Sequence, residues 1–320
     1  MKKRVHSPFF LAAVFMLMLS PLSAATVADY AFTGDLSVTA LALPDGTTAI
    51  GEGAYAGTGV KTADIPQGLT KIGQYAFADC RSLIRAVIPE GVTIIPKGLF
   101  RGCKSLREVE LPSSLESIEA DAFAATAIED IDLSHCKKLR HIGDRCFASC
   151  DRLGKIYLPA SVDSIGDAAL FGCATLTEID LPESLHSIGD FSLACTAGVT
   201  GIKLPSPLSY IGSGAMEGMT GLSRIDATGV DDVPRIGENV WHGLPQQDIR
   251  LIVSPDFSER FMSSPQWRDF NITLATEASA ALPVTAQIKS VTVYRVSEID
   301  IIVTVYDDGS RRVEKILNIK

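Results

Sequence analysis

The histidines and cysteines between residues 135 and 150 are the candidates for metal chemistry. His135-Cys136, His141, Cys146 and Cys150 lie close together in the sequence, and imidazole and thiolate groups are the usual ligands of zinc. Their spacings match none of the usual zinc patterns. Cys150 also occupies a fixed place in a repeated sequence unit, so the pattern predicts structural cysteines and no metal site.

Nucleophilic catalysis has no sequence support either. The five histidines, His6, His135, His141, His186 and His242, are scattered. No Gly-x-Ser-x-Gly elbow is present, and the recurring Ile-Gly pairs are not a phosphate loop. The sequence therefore predicts no enzyme, no catalytic residue and no cofactor-binding residue. A hydrolase is the weakest alternative, because it would need a pocket where His and carboxylate groups converge.

Composition bounds the class of protein. The chain has 320 residues, 46% hydrophobic and 21% charged, which excludes a disordered chain. The net charge is −9 and no block of Lys and Arg is present. Nucleic acid is therefore excluded as the expected partner, since that binding needs a clustered basic surface.

The first residues have the order of a secretory signal peptide. Lys2, Lys3 and Arg4 precede an apolar run at 9–19 and the small residues at 23–25. The run is too short to span a bilayer, and no other stretch predicts a membrane span in the mature chain. We expect residues 1–25 to be removed, leaving a net charge of −12 on an exported chain at the cell surface, in the periplasm or secreted.

The elements that position these residues come from an internal repeat. Isoleucines that open an Ile-Gly or similar pair recur every 22 to 25 residues. They are Ile50, Ile72, Ile95, Ile118, Ile142, Ile165, Ile188, Ile211 and Ile236. Nine copies of one unit therefore fill the middle of the chain, as expected for a solenoid.

Each unit predicts short pieces of structure that cannot bury an apolar side alone. The alternation Ile179-x-Leu181 predicts a strand, which Pro182 ends. Ser164-Ile165 predicts a second extended piece, and 121–124 suits one helical turn with its Phe inward. Stacking of turns would cover each apolar side and pair the strands of neighbouring turns.

The unit Ile-Gly-x-x-Ala-Phe-x-x-Cys-x-x-Leu-x-x-Val/Ile-x-Leu-Pro resembles the BspA-like bacterial leucine-rich repeats. It is read at 72–88, 142–158 and 165–181, and the Phe261…Trp267…Phe270 segment resembles the cap that closes such arrays. The resemblance implies a leucine-rich repeat solenoid, β-rich with short helical turns, on a surface-exposed or secreted protein used for adhesion or binding. It implies no shared active site.

The repeat also sets the domain boundaries. We expect a signal peptide at 1–25, an N-terminal cap at 26–49, the array at 50–252, its C-terminal cap at 253–275 and a small β module at 283–320. Alternating Val and Ile and the turn signal Asp307-Asp308-Gly309 predict the module. It either shields the last turn or anchors and sorts the protein. The array is therefore the part expected to bind partners.

The cysteines follow the repeat. Cys80, Cys103, Cys150 and Cys173 each lie eight residues after their opening isoleucine, so they form a ladder at one interior position. Neighbours in such a ladder lie alongside one another, which is poor geometry for a disulfide. Free cysteine is among the most buried residue types. We therefore expect buried thiols.

The outward residues of the repeated strand form the candidate binding face. It comprises Glu108, Glu110, Asp130, Asp132, Lys155, Tyr157, Glu178 and Asp180. Like charges opposite one another on adjacent strands are destabilising, so stability alone would not select this clustering. The same alignment places Asp248 and Arg250 outward on the ninth turn.

Two interpretations of this face stay open. It is a solvated face that keeps the protein soluble, or a ligand face that binds a basic protein or other macromolecule, with Tyr157 as an anchor. Ca²⁺ held by the carboxylates is a variant of the second interpretation; no other cofactor is expected. The function predicted is adhesive protein–protein binding, and the alternative is a structural or assembly component of the cell envelope anchored through the β module. The sequence sets no oligomeric state.

Overall fold

The computed structural model describes residues 25–275, 288–296, 299–306 and 311–317. The predicted signal peptide, except for Ala25, lies outside these residues, and so does the predicted turn at Asp307-Asp308-Gly309. Within the described residues, no helix is long and apolar enough to cross a membrane. The array is a parallel β-solenoid of about eleven turns with little helix, which confirms the predicted fold class.

One ladder of short parallel strands carries the opening isoleucines. Their buried side chains stack in register from turn to turn, as Ile142 does on Ile165. The glycine after the isoleucine lets neighbouring turns approach closely: a Cβ at Gly189 would lie 2.6 Å from the backbone nitrogen of Asp167. The strands form two sheets: the first contains β1 (Ala25–Val27), β2 (Thr47–Ile50) and β4 (Lys71–Ile72), and the second β6 (Ile94–Ile95), β8 (Ser117–Ile118), β10 (His141–Ile142), β12 (Ser164–Ile165), β14 (Ser187–Ile188), β16 (Tyr210–Ile211) and β18 (Arg235–Ile236).

A second ladder carries the predicted binding face and divides into three sheets. The middle residue of each strand points inward, as buried Ile131 and Ile156 do, while its neighbours point to solvent. The first sheet contains β3 (Thr62–Asp64), β5 (Arg85–Val87) and β7 (Glu108–Glu110); the second β9 (Asp130–Asp132), β11 (Lys155–Tyr157) and β13 (Glu178–Ile179); the third β15 (Gly201–Lys203), β17 (Arg224–Ala227), β19 (Arg250–Val253) and β20 (Asn271–Leu274).

The outer turn that follows each isoleucine is joined to the next turn by three backbone hydrogen bonds. The N–H groups three, five and seven residues after the isoleucine donate to carbonyls of the next turn. Tyr75, Phe77 and Asp79 show the pattern, donating to carbonyls at 97, 99 and 101 over 2.6–3.1 Å. The first and third of these residues have positive φ, 55° at both Tyr75 and Asp79. The segment is therefore a left-handed bend in place of the helical turn predicted.

Aromatic rings fill the interior of the outer turns. The residue five after the isoleucine points inward, and neighbouring rings stack with centroids 5.1–5.9 Å apart. Leu170, Leu193 and Met216 continue the column, and Trp241 ends it. The stacked rings are Phe32, Tyr55, Phe77, Phe100, Phe123 and Phe147.

The predicted N-terminal cap repeats the structure of a full turn. β1 pairs in parallel with β2, and Tyr30, Phe32 and Gly34 donate to carbonyls of the following turn as in the rest of the array. The segment lacked an Ile-Gly signature because Val27-Ala28 stands in that place. Residues 26–44 are therefore the first turn of the array.

The C-terminal cap closes the apolar end. Its helical parts are a 3₁₀ helix, Pro255–Phe257, and the helix α1 (Ser258–Ser263); another 3₁₀ helix, Gln246–Asp248, precedes β19 within the array. Phe261, Trp267 and Phe270, the residues predicted to cap the array, are buried. The rings of Trp267 and Phe270 lie 5.1 and 4.9 Å from that of Trp241, and Phe261 packs against Trp267 at 5.3 Å. The indole of Trp267 donates to the carbonyl of Pro234 over 3.1 Å.

One register prediction is wrong. The structure pairs Arg224 with Arg250 and Asp226 with Ile252, so Arg250 and Ile252, not Asp248 and Arg250, are outward on β19. The preceding 3₁₀ helix takes up extra residues of this longer unit and shifts the strand by two positions.

The C-terminal segment forms its own antiparallel sheet. Its strands are β21 (Ile288–Val296), β22 (Ile299–Tyr306) and β23 (Arg311–Leu317). β22 pairs with both others, and the sheet is separate from those of the solenoid.

Candidate functional site

The eight predicted face residues fall on two sheets. Glu108 and Glu110 lie on β7, the edge of the first sheet, and the other six lie on or directly after the strands of the second. We call these six the central face: Asp130, Asp132, Lys155, Tyr157, Glu178 and Asp180. All six are exposed.

Arg85 forms ion pairs with the carboxylates of the first sheet and offsets part of their charge. Its guanidinium lies 2.7 Å from Glu110, 2.6 Å from Asp64 and 3.9 Å from Glu108. The hydrogen bond to Glu110 raises the pKa of Arg85. Glu108 and Glu110 therefore belong to a charge network within the protein, which the alternation of outward residues did not predict.

The ladder breaks where four carboxylates would otherwise face one another. β7 and β9 belong to different sheets. Asp130 follows Ile118 by 12 residues, whereas Glu108 follows Ile95 by 13, so the strand begins one residue earlier in this turn. Because opposed like charges destabilise paired strands, the break separates the two acidic pairs.

The central face keeps its charges available. Lys155 is in register with Asp130 on one side and Glu178 on the other, and Tyr157 is in register with Asp132. Among the ion pairs within 4 Å in the described part of the chain, none involves Lys155, Asp130 or Glu178. The face therefore offers four carboxylates against one ammonium group.

Two groups of the central face have distinct local properties. The Tyr157 side chain is 47% exposed, which leaves much of its ring open to a partner. Hydrogen bonding with Ser134 lowers the pKa of Asp132, whose carboxylate accepts from the Ser134 backbone N–H over 2.8 Å. Asp132 is thus held in its charged form and in a fixed orientation.

Charge of the opposite sign appears further along the array. Lys203 pairs with Glu183 at 2.9 Å and Arg224 with Asp226 at 3.0 Å. Arg250 is in register with Arg224. The sequence prediction missed this pairing of two arginines, because it placed Asp248 in that register position. The strand surface is therefore acidic at its centre and more basic on the third sheet.

The cysteines and histidines do not gather into one cluster. Six cysteines are buried free thiols, among them the four of the predicted ladder, and Cys195 is exposed. His141 Nδ1 lies 2.9 Å from the Ser164 hydroxyl, and His135 Nε2 lies 2.9 Å from the Leu111 carbonyl. Across the described residues, no group of three or more His, Cys, Asp or Glu side chains could hold a metal ion.

The buried thiols form hydrogen bonds at one interior position of the turns. Cys150 donates to the Phe123 carbonyl over 3.2 Å, and Cys173 to the Phe147 carbonyl over 3.1 Å. Threonines alternate with the thiols in the order Thr-Cys-Cys: Thr58, Cys80, Cys103, Thr126, Cys150, Cys173 and Thr196. Burial raises the pKa of Cys150, whereas a hydrogen bond with Cys103 lowers that of Cys80 to about 7.

A family model described as the BspA type leucine rich repeat region matches residues 25–151 and 140–249, with six copies. No curated protein matches the chain.

The solved structures that match the chain include proteins from several bacteria. A leucine-rich repeat protein from Bacteroides ovatus ATCC 8483 is 24% identical with a TM-score of 0.47, covering 78% of this chain and 74% of that one. A leucine rich cell surface protein from Faecalibacterium prausnitzii A2-165 is 20% identical with a TM-score of 0.34, covering 67% and 82%. The pneumococcal vaccine antigen PcpA is 15% identical with a TM-score of 0.40, covering 78% and 76%.

Proposed function

The chain belongs to the BspA-type leucine-rich repeat family, a class of repeat proteins for protein interaction. We propose that it is exported and that its central face binds a basic protein partner. This binding would serve adhesion to host or neighbouring cells. The family is typically a non-enzymatic binding scaffold. The observation that carries the proposal is the exposed, unpaired acidic strand surface around Tyr157.

Physical chemistry favours a basic partner. Four carboxylates with one lysine attract a positively charged surface, and complementary charge speeds and orients encounter. Tyr157 supplies an amphipathic ring of the kind enriched at the energetic centre of interfaces. Parallel strands about 4.8 Å apart present these groups as a fixed row, so little entropy is lost on binding.

The test is charge reversal on the face with a matched control. Asp130→Lys/Glu178→Lys removes two carboxylates of the central face. Asp151→Lys/Glu259→Lys makes the same change in net charge at exposed positions away from it. Binding to extracellular-matrix and bacterial-surface fractions is measured for wild type and both variants.

We expect the face variant to bind at least tenfold more weakly and the control to bind as wild type. Equal binding by all three proteins would show that the acidic face serves only solubility. Repeating the measurement in Ca²⁺ and in a chelator tests the cation variant, since binding that needs Ca²⁺ would assign the carboxylates to the metal.

Export is the second part of the proposal. The order of basic, apolar and small residues before residue 26 supports it. We expect the surface or secreted fraction of the native cell to contain a chain whose N-terminus lies near residue 26. Recovery of the chain with Met1 in the cytosol would rule export out.

The separate antiparallel sheet β21–β23 supports a second candidate, in which this module anchors the protein in the cell envelope. Deleting residues 283–320 should then release the array from the surface without loss of its fold. Retention of the truncated protein would remove the anchoring role.

A further inference from the structure

The last outer turn of the array leaves a row of backbone donors open. In every earlier turn the three N–H groups of the bend donate to carbonyls of the next turn, as Gly214, Met216 and Gly218 do over 2.8–3.2 Å. The corresponding groups of the last turn belong to Asn239, Trp241 and Gly243. Within the described residues none of the three has an acceptor. We call these three N–H groups the open row.

A cleft lies beside the open row. It has a volume of about 390 Å³ and is lined by Glu238, Asn239, Trp241, His242, Gln246 and Gln266. The size lies within the range of about 300–1,000 Å³ that ligand clefts occupy. Trp241 also lines the cleft, although the residue is only 3% exposed, and its buried indole Nε1 has no hydrogen-bond partner in the described structure.

The rest of the array shows what such a row binds. At each earlier turn its acceptors are peptide carbonyls from alternate residues of one chain segment. Backbone donors at alternate residues are also the pattern by which exposed strand edges bind extended peptides. The open row therefore has the hydrogen-bond pattern of a peptide-binding edge.

The cap restricts the occupant to a single segment. Phe261, Trp267 and Phe270 cover the apolar end of the solenoid, so a complete further turn cannot stack there. The outer edge beside the cleft is left accessible. Gln266 donates to the Gly237 carbonyl over 2.8 Å and Gln246 to the Gln266 carbonyl over 2.7 Å, which fixes both amides and leaves their oxygens to accept from a ligand.

We propose that this cleft binds an extended peptide segment of a partner protein, whose alternate carbonyls accept from the N–H groups of Asn239, Trp241 and Gly243. Glu238 and the two glutamine amides then accept from N–H groups or a basic side chain of that segment. The site is separate from the central face, so failure of one proposal leaves the other standing.

The test is amide and indole NMR on the full, isotope-labelled chain. The probe is a terminally blocked peptide with the sequence of residues 28–34. In the first turn, the carbonyls of Asp29, Ala31 and Thr33 correspond to those that accept from the preceding turn elsewhere in the array, and within the described residues they accept no backbone hydrogen bond. The chain has two tryptophans, so two indole signals report directly. We expect the open-row amides and the Trp241 indole to shift, while the Trp267 indole, bonded to Pro234, does not.

Two variants sharpen the result. Glu238→Gln removes the charge of an acceptor that the proposal assigns to the cleft while keeping the side chain's size, and should weaken peptide binding about threefold to tenfold. Glu259→Gln makes the same change at an exposed position outside the cleft lining and should leave peptide affinity unchanged.

Three results would overturn the proposal. One is the absence of shifts at millimolar peptide. The second is a shift of the same signals with protein concentration alone, which would assign the cleft to a second copy. The third is a response to N-acetylglucosamine without a response to peptide, which would assign it to a saccharide.

Discussion

The ring of Phe191 lies against the backbone of Gly214, one turn further along the array. A Cβ at Gly214 would overlap the edge of that ring, and both residues have left-handed backbones, with φ of 54° and 60°. Tyr75 stands in the same relation to Gly98. An aromatic residue at the first left-handed position of one turn therefore requires glycine at that position of the next.

Gly214→Ala should lower the free energy of unfolding by about 2 kcal/mol, because it adds a clash with Phe191 to the cost of a left-handed alanine. Gly46→Ala is the control, since φ is 75° there but no atom lies within 4 Å of a Cβ. Denaturant unfolding of both variants and of Phe191→Ala/Gly214→Ala measures the difference. Equal losses in the two single variants would mean that the ring yields freely.

Ala168→Gly should stabilise the protein by about 0.5 kcal/mol, because alanine is strained at φ 53° and glycine is not. The adjacent Ala169 is fully buried and does not have positive φ. Ala169→Gly should therefore destabilise. Thermal or denaturant unfolding should give shifts of opposite sign; a loss of stability in both would contradict the strain argument.

Phe123→Ala should cost about 3–5 kcal/mol, since its ring is stacked between Phe100 and Phe147 with centroids 5.7 and 5.3 Å away. Phe32→Ala should cost less, because Phe32 is partly buried and begins the column. Phe123→Leu gives a folded comparison that mimics Leu170. Urea unfolding measures the free energy of unfolding of the three variants. A larger loss for Phe32→Ala than for Phe123→Ala would refute the role of the aromatic column in stability.

Cys195 should be the only thiol modified in the native protein. The other six of the seven cysteines are buried, and burial raises the pKa of Cys150 and raises that of Cys136 to about 11. Brief treatment with iodoacetamide should add one group by intact mass, and seven in guanidinium. Cys195→Ser should then add none in the native state, and a remaining adduct would reveal an accessible ladder thiol.

Asp226 should contribute stability that acid removes. Burial would raise the pKa of this carboxyl, but hydrogen bonds from Thr228 and Arg224 outweigh it and lower the pKa. The contribution is present above the ordinary Asp pKa, near 3.9, and is lost as the pH falls through the lowered value. Asp226→Asn should therefore cost about 0.5 kcal/mol at pH 7, and less near pH 2.

The control for Asp226→Asn is Asp151→Asn. Asp151 is exposed and forms no ion pair within the described residues. Its unfolding midpoint should match wild type at both pH values. A constant deficit of Asp226→Asn across this range would indicate lost packing instead of lost charge.

The sequence was sufficient to predict most turns of the solenoid, because the isoleucines recur once per turn and each stacks on its equivalent in the next turn. Val27-Ala28 in place of Ile-Gly concealed the first turn, and the inserted 3₁₀ helix before Arg250 concealed the true register of β19. Positive φ at Tyr75 or Phe191 leaves no signal in a non-glycine residue type, so the left-handed bends were read as helical.

The acidic face was also predictable only in part. Alternation placed Lys155 and Tyr157 outward correctly. The ion pair between Arg85 and Glu110 is a diagonal contact between neighbouring strands, and it depends on side-chain conformation, which spacing does not encode. The open row could not be predicted from the sequence, because Asn239 occupies the same position in its turn as the equivalent residues of earlier turns. Only the structure shows that no further turn accepts hydrogen bonds from it within the described residues.

Because the inter-turn hydrogen bonds run along the axis of the solenoid, the array has a mechanical direction. A pull on the C-terminal segment loads the interface between the last turns first, and those bonds must separate before the load reaches the turns that carry Lys155 and Tyr157. Since each turn contacts only its neighbours, rupture proceeds from the end inward. The terminal turns would thus yield before the turns that carry the central face.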